Sequence, residues 1–452
     1  MNTASVPAAA SRTEAAPASA APLAWPRADL LRRLHQALAL APRALAAALA
    51  QDERGSQPAG LAPATNDRPA SGRPLQLAKV VAEAAMLLRC AAFLRAEDAS
   101  LGAAIDAVAS LLAPHARAPS VLVQLCREPA RAIEHAAAHV YLSDLGQRDE
   151  TFDRFLQETL AGARVGSPER LPNHALECHW LDQIRSGRVE EAAIDPALLA
   201  NTCVASQLDV LGCSTLDLYA FTHVVLYATD MGRRSVRWPR PVDEIVAGAQ
   251  ASLAAALDAD NFDLAAELLW TWPMLRVPWD ATASFAFEVL ASVQDEHRFL
   301  PGPEYSPCDL ATHSPAQRDE AMFRTSYHAT FVMGMLCAVA LRRGCAPSQR
   351  SADAPANAGA TDELLQLMAP SSREPRWLQE LALADRPRRD ALAPFVLSIV
   401  LRRSAANHAI DRLRSALEAG LQRDWADGPS ARQALGLLRR VTSLARLRAT
   451  AG

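Results

Sequence analysis

A chain of 452 residues, half of them apolar, has enough material to bury a large core, as one big domain or as two or three ordinary ones. Its 46 basic and 50 acidic residues leave a formal net charge of −4 with no basic excess on the scale of a domain, which argues against a nucleic-acid partner. Eight cysteines stand singly without a CxxC pair, the pattern of reduced thiols; the N-terminal stretch has no secretory h-region and no apolar run reaches bilayer length, so a soluble cytoplasmic protein with no membrane partner is expected.

Residues 1–25 are rich in Ala, Pro and Ser without apolar periodicity and predict a disordered tail. From Pro26 the spacing turns helical: leucine and alanine recur every three or four residues over 27–51, 75–96, 99–113 and 119–141. The stretch GSQPAGLAPATNDRPASGRP (55–74) reads as a linker, and APSQRSADAPANAGATD (346–362) as a flexible insertion. Between them, breakers punctuate the chain at Gly232, Pro239 and Pro241, in WTWPMLRVPWD (270–280) and in FLPGPEYSPC (299–308). The segments 214–231 with 240–257, 260–270 with 281–294, and 318–343 with 363–369 read as αα-hairpins. Alternating β-branched runs between tight turns do not recur, so the expected fold class is all-α. With no fixed period of about 34 residues, the helical hairpins predict a closed α/α toroid rather than an open solenoid. This divides the chain into an N-terminal helical region, 26–165, and a main toroid-like domain, 166–452.

Chemistry-bearing residues concentrate in two places. In FTHVVLYATDMG (221–232) and the turn before it, Tyr219, His223, Tyr227 and Asp230 are spaced by four, four and three, which lines them along one helix face. Leu216, Phe221, Val224, Val225 and Leu226 surround them, so part of that face is expected to be buried, and a buried carboxylate needs a cation, several donors or a metal. Two readings stand side by side. In one, His223 is a core histidine and Asp230 a turn residue paired with Arg233 or Arg234, just before a C-cap at Gly232. In the other, His223 and Asp230 hold a metal or substrate in a central cavity. A rise of about 1.5 Å per residue separates the two by ~10.5 Å, so shared ligation requires the last turn to unwind.

The second place runs from ASVQDEHRFLPGPEYSPCDLATH (291–313) to TSYHATFVMGM (325–335). Asp295 and His297 close an amphipathic helix where chain ends would ring the mouth of a toroid. His328 lies among Phe323, Tyr327, Phe331, Val332, Met335 and Leu336 and needs a hydrogen-bond partner or a ligand. Arg324, one turn earlier, is expected to lower its pKa, and neutral imidazole is the form that binds metals. Trp270, Trp272 and Trp279 read as packing anchors. No GxGxxG after a strand, GxxxxGK[ST], HExxH or GxSxG is present, so no nucleotide cofactor is expected.

Tyr327-His328-Ala329-Thr330 resembles the YHT motif of protein prenyltransferase β subunits, and that resemblance implies a zinc-ligating histidine inside an α/α toroid. Gln294 to Gly302 is similar to the Q-x-x-D-G-x-F turns of terpenoid-cyclase-like toroids. Over about residues 200–345 the chain resembles more closely an uncharacterised bacterial helical family with THxLFYxTDxG and YHTT segments, often encoded near natural-product genes; Thr222, His223, Tyr227, Thr229, Asp230, Gly232, Tyr327 and His328 carry the match. The Asp-x-Cys zinc ligands of prenyltransferases and the DDxxD and DxDD motifs of terpene cyclases have no counterpart.

Together these features lead to the expectation of a metal-dependent enzyme of bacterial specialised metabolism, acting on a small molecule or peptide in a toroid cavity. His223, Asp230, His328, Asp295 and His297 are the candidate ligands to zinc or non-haem iron, and Tyr219, Arg324 and Tyr327 the candidate catalytic groups. His223 and His328 are expected to meet across the interior, with Asp230 or Asp295 nearby. The alternative is a non-catalytic helical scaffold or peptide-binding accessory protein whose histidines are core residues.

Overall fold

The computed structural model describes residues 25–56, 76–162, 169–189, 194–306, 314–343, 345–347, 359–370 and 373–451. Nearly all of the expected tail, all but the first residues of the linker, and most of the insertion lie outside the described residues. Among the described residues there are helices and turns but no strand, so the fold is all-α. The first half of the chain forms α1 (Arg27–Ser56), α2 (Leu77–Ala91), α3 (Ala99–Ala116), α4 (Pro119–Arg127), α5 (Ala132–His135), α6 (Ala137–Asp144), α7 (Glu150–Gly162), α8 (Pro172–Arg185), α9 (Pro196–Ala200) and α10 (Thr215–Thr229). The second half forms α11 (Val242–Asp258), α12 (Phe262–Leu269), α13 (Thr271–Leu275), α14 (Ala281–His297), α15 (Pro315–Arg343), α16 (Ala360–Leu367), α17 (Arg376–Leu383), α18 (Arg386–Ala391), α19 (Ala393–Ala406), α20 (Ile410–Leu421) and α21 (Pro429–Ala451).

Local chemistry accounts for many of these boundaries. Asp98, Ser214, Asn261 and Asp280 each cap a helix by accepting a backbone N–H from its first turn. The single helix expected over 119–141 is broken, because Glu128 precedes Pro129 and leaves the helical region at φ −128° and ψ 60°. The breaker at Pro273 does not prevent a helix: α13 runs from Thr271 to Leu275 with Trp272 inside it, Trp270 and Trp272 are buried, and the indole of Trp272 donates to Asp280.

Among the described residues the most extensive packing runs between α1 and α15. Their backbones approach closely at Gly334, where an added Cβ would come within 2.5 Å of the Ala37 side chain, so only glycine fits. The N-terminal helices are therefore packed into the same core as the later ones. Helix α3 is long and apolar enough to cross a membrane, but Leu101, Ile105, Ala109 and Leu112 are buried, with the helix packed against α1, α2 and α6. Six helices close a circuit of packing: α2 on α6, α6 on α8, α8 on α10, α10 on α12, α12 on α15, and α15 back on α2. The polar residues of interest project from five of these six.

Candidate metal centre

Helix α10 begins with a reciprocal cap in which the Asp217 carboxylate accepts from the Ser214 N–H and the Ser214 hydroxyl from the Asp217 N–H. That cap sets the phase of the helix. Leu218, Phe221, Val224, Val225 and Ala228 are buried in the core, while Tyr219, His223 and Tyr227 form a stripe at four-residue spacing. Leu216, expected inside, is exposed. Opposite the stripe lies α12, only eight residues long and wholly buried, in which Asp263 and Glu267 occupy adjacent turns of one face.

The Tyr219 hydroxyl donates to Asp263 Oδ2 at 2.6 Å, and the Thr222 hydroxyl donates to Glu267 Oε2 at 2.5 Å. His223 Nε2 is 3.6 Å from the same Glu267 Oε2. From α15, His328 Nε2 faces α12 at 3.5 Å from Asp263 Oδ1 and 3.7 Å from Glu267 Oε1. Its other nitrogen, Nδ1, is 3.0 Å from Glu83 Oε2 of α2, but at an angle that leaves both atoms without a good hydrogen bond. Tyr327 approaches the Glu83 carboxylate, and Tyr227 approaches Glu177 of α8. The carboxylates are sealed, with Asp263 at 4% and Glu267 at 1% exposure. The histidine side chains retain 35% and 32%, so the two rings line a space that admits water.

Four carboxylates thus face two imidazoles. Lys79 reaches Glu83 from the exposed side at 3.6 Å, and among the described residues no arginine is paired with any of the four. The proton affinities record this crowding. Burial opposes charge on His328, yet Asp263 and Glu83 outweigh it and hold the ring well above its ordinary value. For His223 burial is likewise outweighed, by Glu267 and then Glu177, and its pKa is raised. Burial raises Asp263, with Glu267 adding to the effect, and burial raises Glu177. Glu267 is lowered against its burial by His223 and His328. Arg324 was expected to depress His328; the surrounding carboxylates produce the opposite shift.

Asp263, Glu267 and His328 each offer one ligand atom, and the three atoms lie within 4.8 Å of one another. Ligand bonds of about 2.0–2.2 Å put neighbouring ligand atoms ~3.3–3.6 Å apart in a tetrahedral shell, close to the 3.5 and 3.7 Å from His328 Nε2 to the two carboxylates. Asp263 Oδ1 has no hydrogen-bond partner. Such a buried, unsatisfied carboxylate oxygen is costly unless something positive completes it.

The structure therefore brings His223, His328, Tyr219 and Tyr327 together and separates the other expected ligands from them. Asp230 sits in the left-handed conformation at φ 48°, followed by Met231 at 53° and Gly232 at 77°, so the helix ends at Asp230 itself rather than at the glycine. Its carboxylate accepts from Arg89 at 2.7 and 3.3 Å and from the Trp180 indole at 2.7 Å, with Arg233 at 3.8 Å. Asp295 is the counter-ion of Arg32 and of the fully buried Arg33, at 3.0 and 2.8 Å. His297 lies 3.9 Å from Glu296 and packs its ring on Phe299 and Tyr305. Arg324 is on the His328 face of α15, half-buried, with a buried Nε that has no partner.

Four residues escaped the sequence reading: Glu83, Glu177, Asp263 and Glu267. Each sits inside an apolar helical stretch, VVAEAAMLL, HALECHWL and NFDLAAELLW, where a carboxylate has no obvious partner. That mismatch was the available signal.

No curated protein and no solved structure matches the chain. A family match covers residues 41–338, from the middle of α1 to the last turns of α15, and takes in every member of the cluster. The chain belongs to the family described as a domain of unknown function, DUF6895.

Proposed function

We propose that this protein is a metal-dependent enzyme whose ion is held by Asp263, Glu267 and His328. The observation that carries this reading is the orphaned Asp263 Oδ1, buried beside a second carboxylate oxygen and an imidazole nitrogen at ligand spacing. The surrounding groups suit the same role. Tyr219 on Asp263 and Thr222 on Glu267 would orient the ligands, and Glu83 stands 3.0 Å behind Nδ1 of His328, where a small turn of the ring would complete the carboxylate–histidine–metal relay that fixes a ring's tautomer. The donor set is richer in oxygen than the two-histidine, one-carboxylate set expected from sequence, which favours iron(II) or manganese(II) alongside zinc.

In this reading the ion acts as a Lewis acid or lowers the pKa of a bound water. His223 lines the water-admitting space and faces the second oxygen of Glu267, so it is positioned to move a proton to or from a bound molecule. Arg324, with its unpartnered Nε one turn from His328, offers a site for an anionic group on a small-molecule or peptide substrate. The expected toroid arrangement of the helices belongs to this proposal as well, with the six-helix circuit as its support.

Metal analysis of the purified chain tests the reading. Stoichiometric iron, manganese or zinc is expected, and Asp263→Asn and His328→Ala should each lose it while keeping the helical circular-dichroism spectrum. Protein that carries none of the three and takes up none on addition would overturn it.

A further inference from the structure

The mononuclear reading leaves Glu177 and Tyr227 without a role and uses His223 only as a proton carrier. Glu267 stands between two imidazoles, with Oε1 turned to His328 Nε2 at 3.7 Å and Oε2 to His223 Nε2 at 3.6 Å. Glu177 of α8 adds its negative charge to the surroundings of His223 and is not used by the first centre. The arrangement on α10 is close to symmetric about His223. One turn before it Tyr219 donates to Asp263, and one turn after it Tyr227 approaches Glu177. Each side of Glu267 therefore presents the same three parts: an imidazole, a terminal carboxylate, and a tyrosine hydroxyl on that carboxylate.

We propose that the cluster is a two-cation centre, in which Glu267 bridges one divalent ion held by Asp263 and His328 and a second held by His223 and Glu177. The proposal rests on the metal-site reading above and extends it. Three observations carry it. The first is the divergent pair of Glu267 oxygens, each aimed at a different histidine. The second is charge: with ligating imidazoles neutral, the carboxylates Glu83, Glu177, Asp263 and Glu267 face one cation, Lys79, so a single divalent ion leaves a buried excess of negative charge that a second would offset. The third is the unpartnered, nine-tenths-buried Asp263 Oδ1, 3.5 Å from His328 Nε2, which calls for a ligand at the first ion's position. Four carboxylates and two histidines contributed by facing helices is also the donor inventory with which helical bundles hold paired iron or manganese ions.

Manganese(II) is the probe for the test, added to chelator-stripped full-length protein and followed by bound-metal analysis and electron paramagnetic resonance. The wild type should bind two ions per chain and give a spin-coupled spectrum. Glu177→Gln should bind one ion with the six-line signal of isolated manganese, and Tyr227→Phe should weaken the second ion about tenfold while sparing the first. Glu267→Gln should abolish the coupling altogether. A wild type that saturates at one uncoupled ion, unchanged in Glu177→Gln, overturns the two-cation proposal and leaves the single-site reading standing. A wild type that binds none overturns both.

Discussion

Helix α10 ends two neighbouring clusters of buried charge, and they are built on opposite rules. Around Asp230 every oxygen has a donor: Arg89 grips the carboxylate with two nitrogens, the Trp180 indole completes it, and Arg233 adds a second positive charge nearby. Around Glu267, which faces His223 two turns before Asp230, acids outnumber bases, two carboxylate oxygens, Asp263 Oδ1 and Glu83 Oε2, have no hydrogen bond, and the histidine rings remain open to water. A satisfied cluster fixes a backbone; an unsatisfied one awaits a ligand. The Asp230 cluster has a backbone to fix, because two successive non-glycine residues in the left-handed region cost about 1–3 kcal/mol each and persist only when their surroundings enforce them. Gly232, third in that run, abuts Met274 and Val339 so closely that a Cβ would contact both at 3.3 Å.

If this contrast is right, substitutions in the two clusters should separate stability from metal binding. The largest effect belongs to Arg89→Met, which strands a fully buried carboxylate and should cost about 3–5 kcal/mol in chemical denaturation. Metal stoichiometry in the folded fraction should not change. Next comes Asp230→Asn, with a neutral-pH cost of about 1–3 kcal/mol from weakened donors. Its pH dependence has a defined sign. Burial alone would raise the Asp230 pKa, but Arg89 and Arg233 overcome this and lower it. A lowered carboxylate contributes stability that is present above its unfolded value of about 3.9 and is lost as pH falls through the folded value. The gap between wild type and Asp230→Asn should therefore narrow below about pH 4, and a gap that widens there would contradict the ion-pair account.

In the other cluster the ordering reverses. Tyr219→Phe removes one hydroxyl from Asp263 and should weaken the first metal about tenfold, near 1.4 kcal/mol, as read by competition with a chelator. The smallest expected change is in the folding stability of metal-free Asp263→Asn, within about 1 kcal/mol of wild type, because removing one of several crowded carboxylates relieves repulsion as it loses contacts. A loss of several kcal/mol there would mean that Asp263 is a structural group like Asp230.

The all-α class was legible because helical spacing dominates the chain and strand signals are missing. The stripe Tyr219, His223, Tyr227 and the pair Tyr327, His328 were legible for the same reason, since spacing of three or four predicts a shared face. For Asp230 the sequence left two readings, a turn residue paired with Arg233 or Arg234 and a ligand; its left-handed conformation makes it the turn residue, and the main partner, Arg89, lies 141 residues earlier in the chain where spacing does not reach. Asp295 and His297 share a helix end with polar neighbours, and nothing local reveals that Arg32 and Arg33 from α1 claim Asp295. Glu83, Glu177, Asp263 and Glu267 come from three helices whose meeting point is a matter of tertiary packing, although the lone acids in apolar helices hinted at it.

The most direct measurement is the thermal midpoint of chelator-treated protein with and without added divalent ion, for the wild type and Asp263→Asn together. An ion that binds only the folded state at a hundredfold excess over its dissociation constant stabilises by about 2.7 kcal/mol. The wild type should therefore melt several degrees higher with manganese(II), iron(II) or zinc(II), and Asp263→Asn should show no such gain. An equal response in both proteins, or none in the wild type with any of the three ions, would contradict the account.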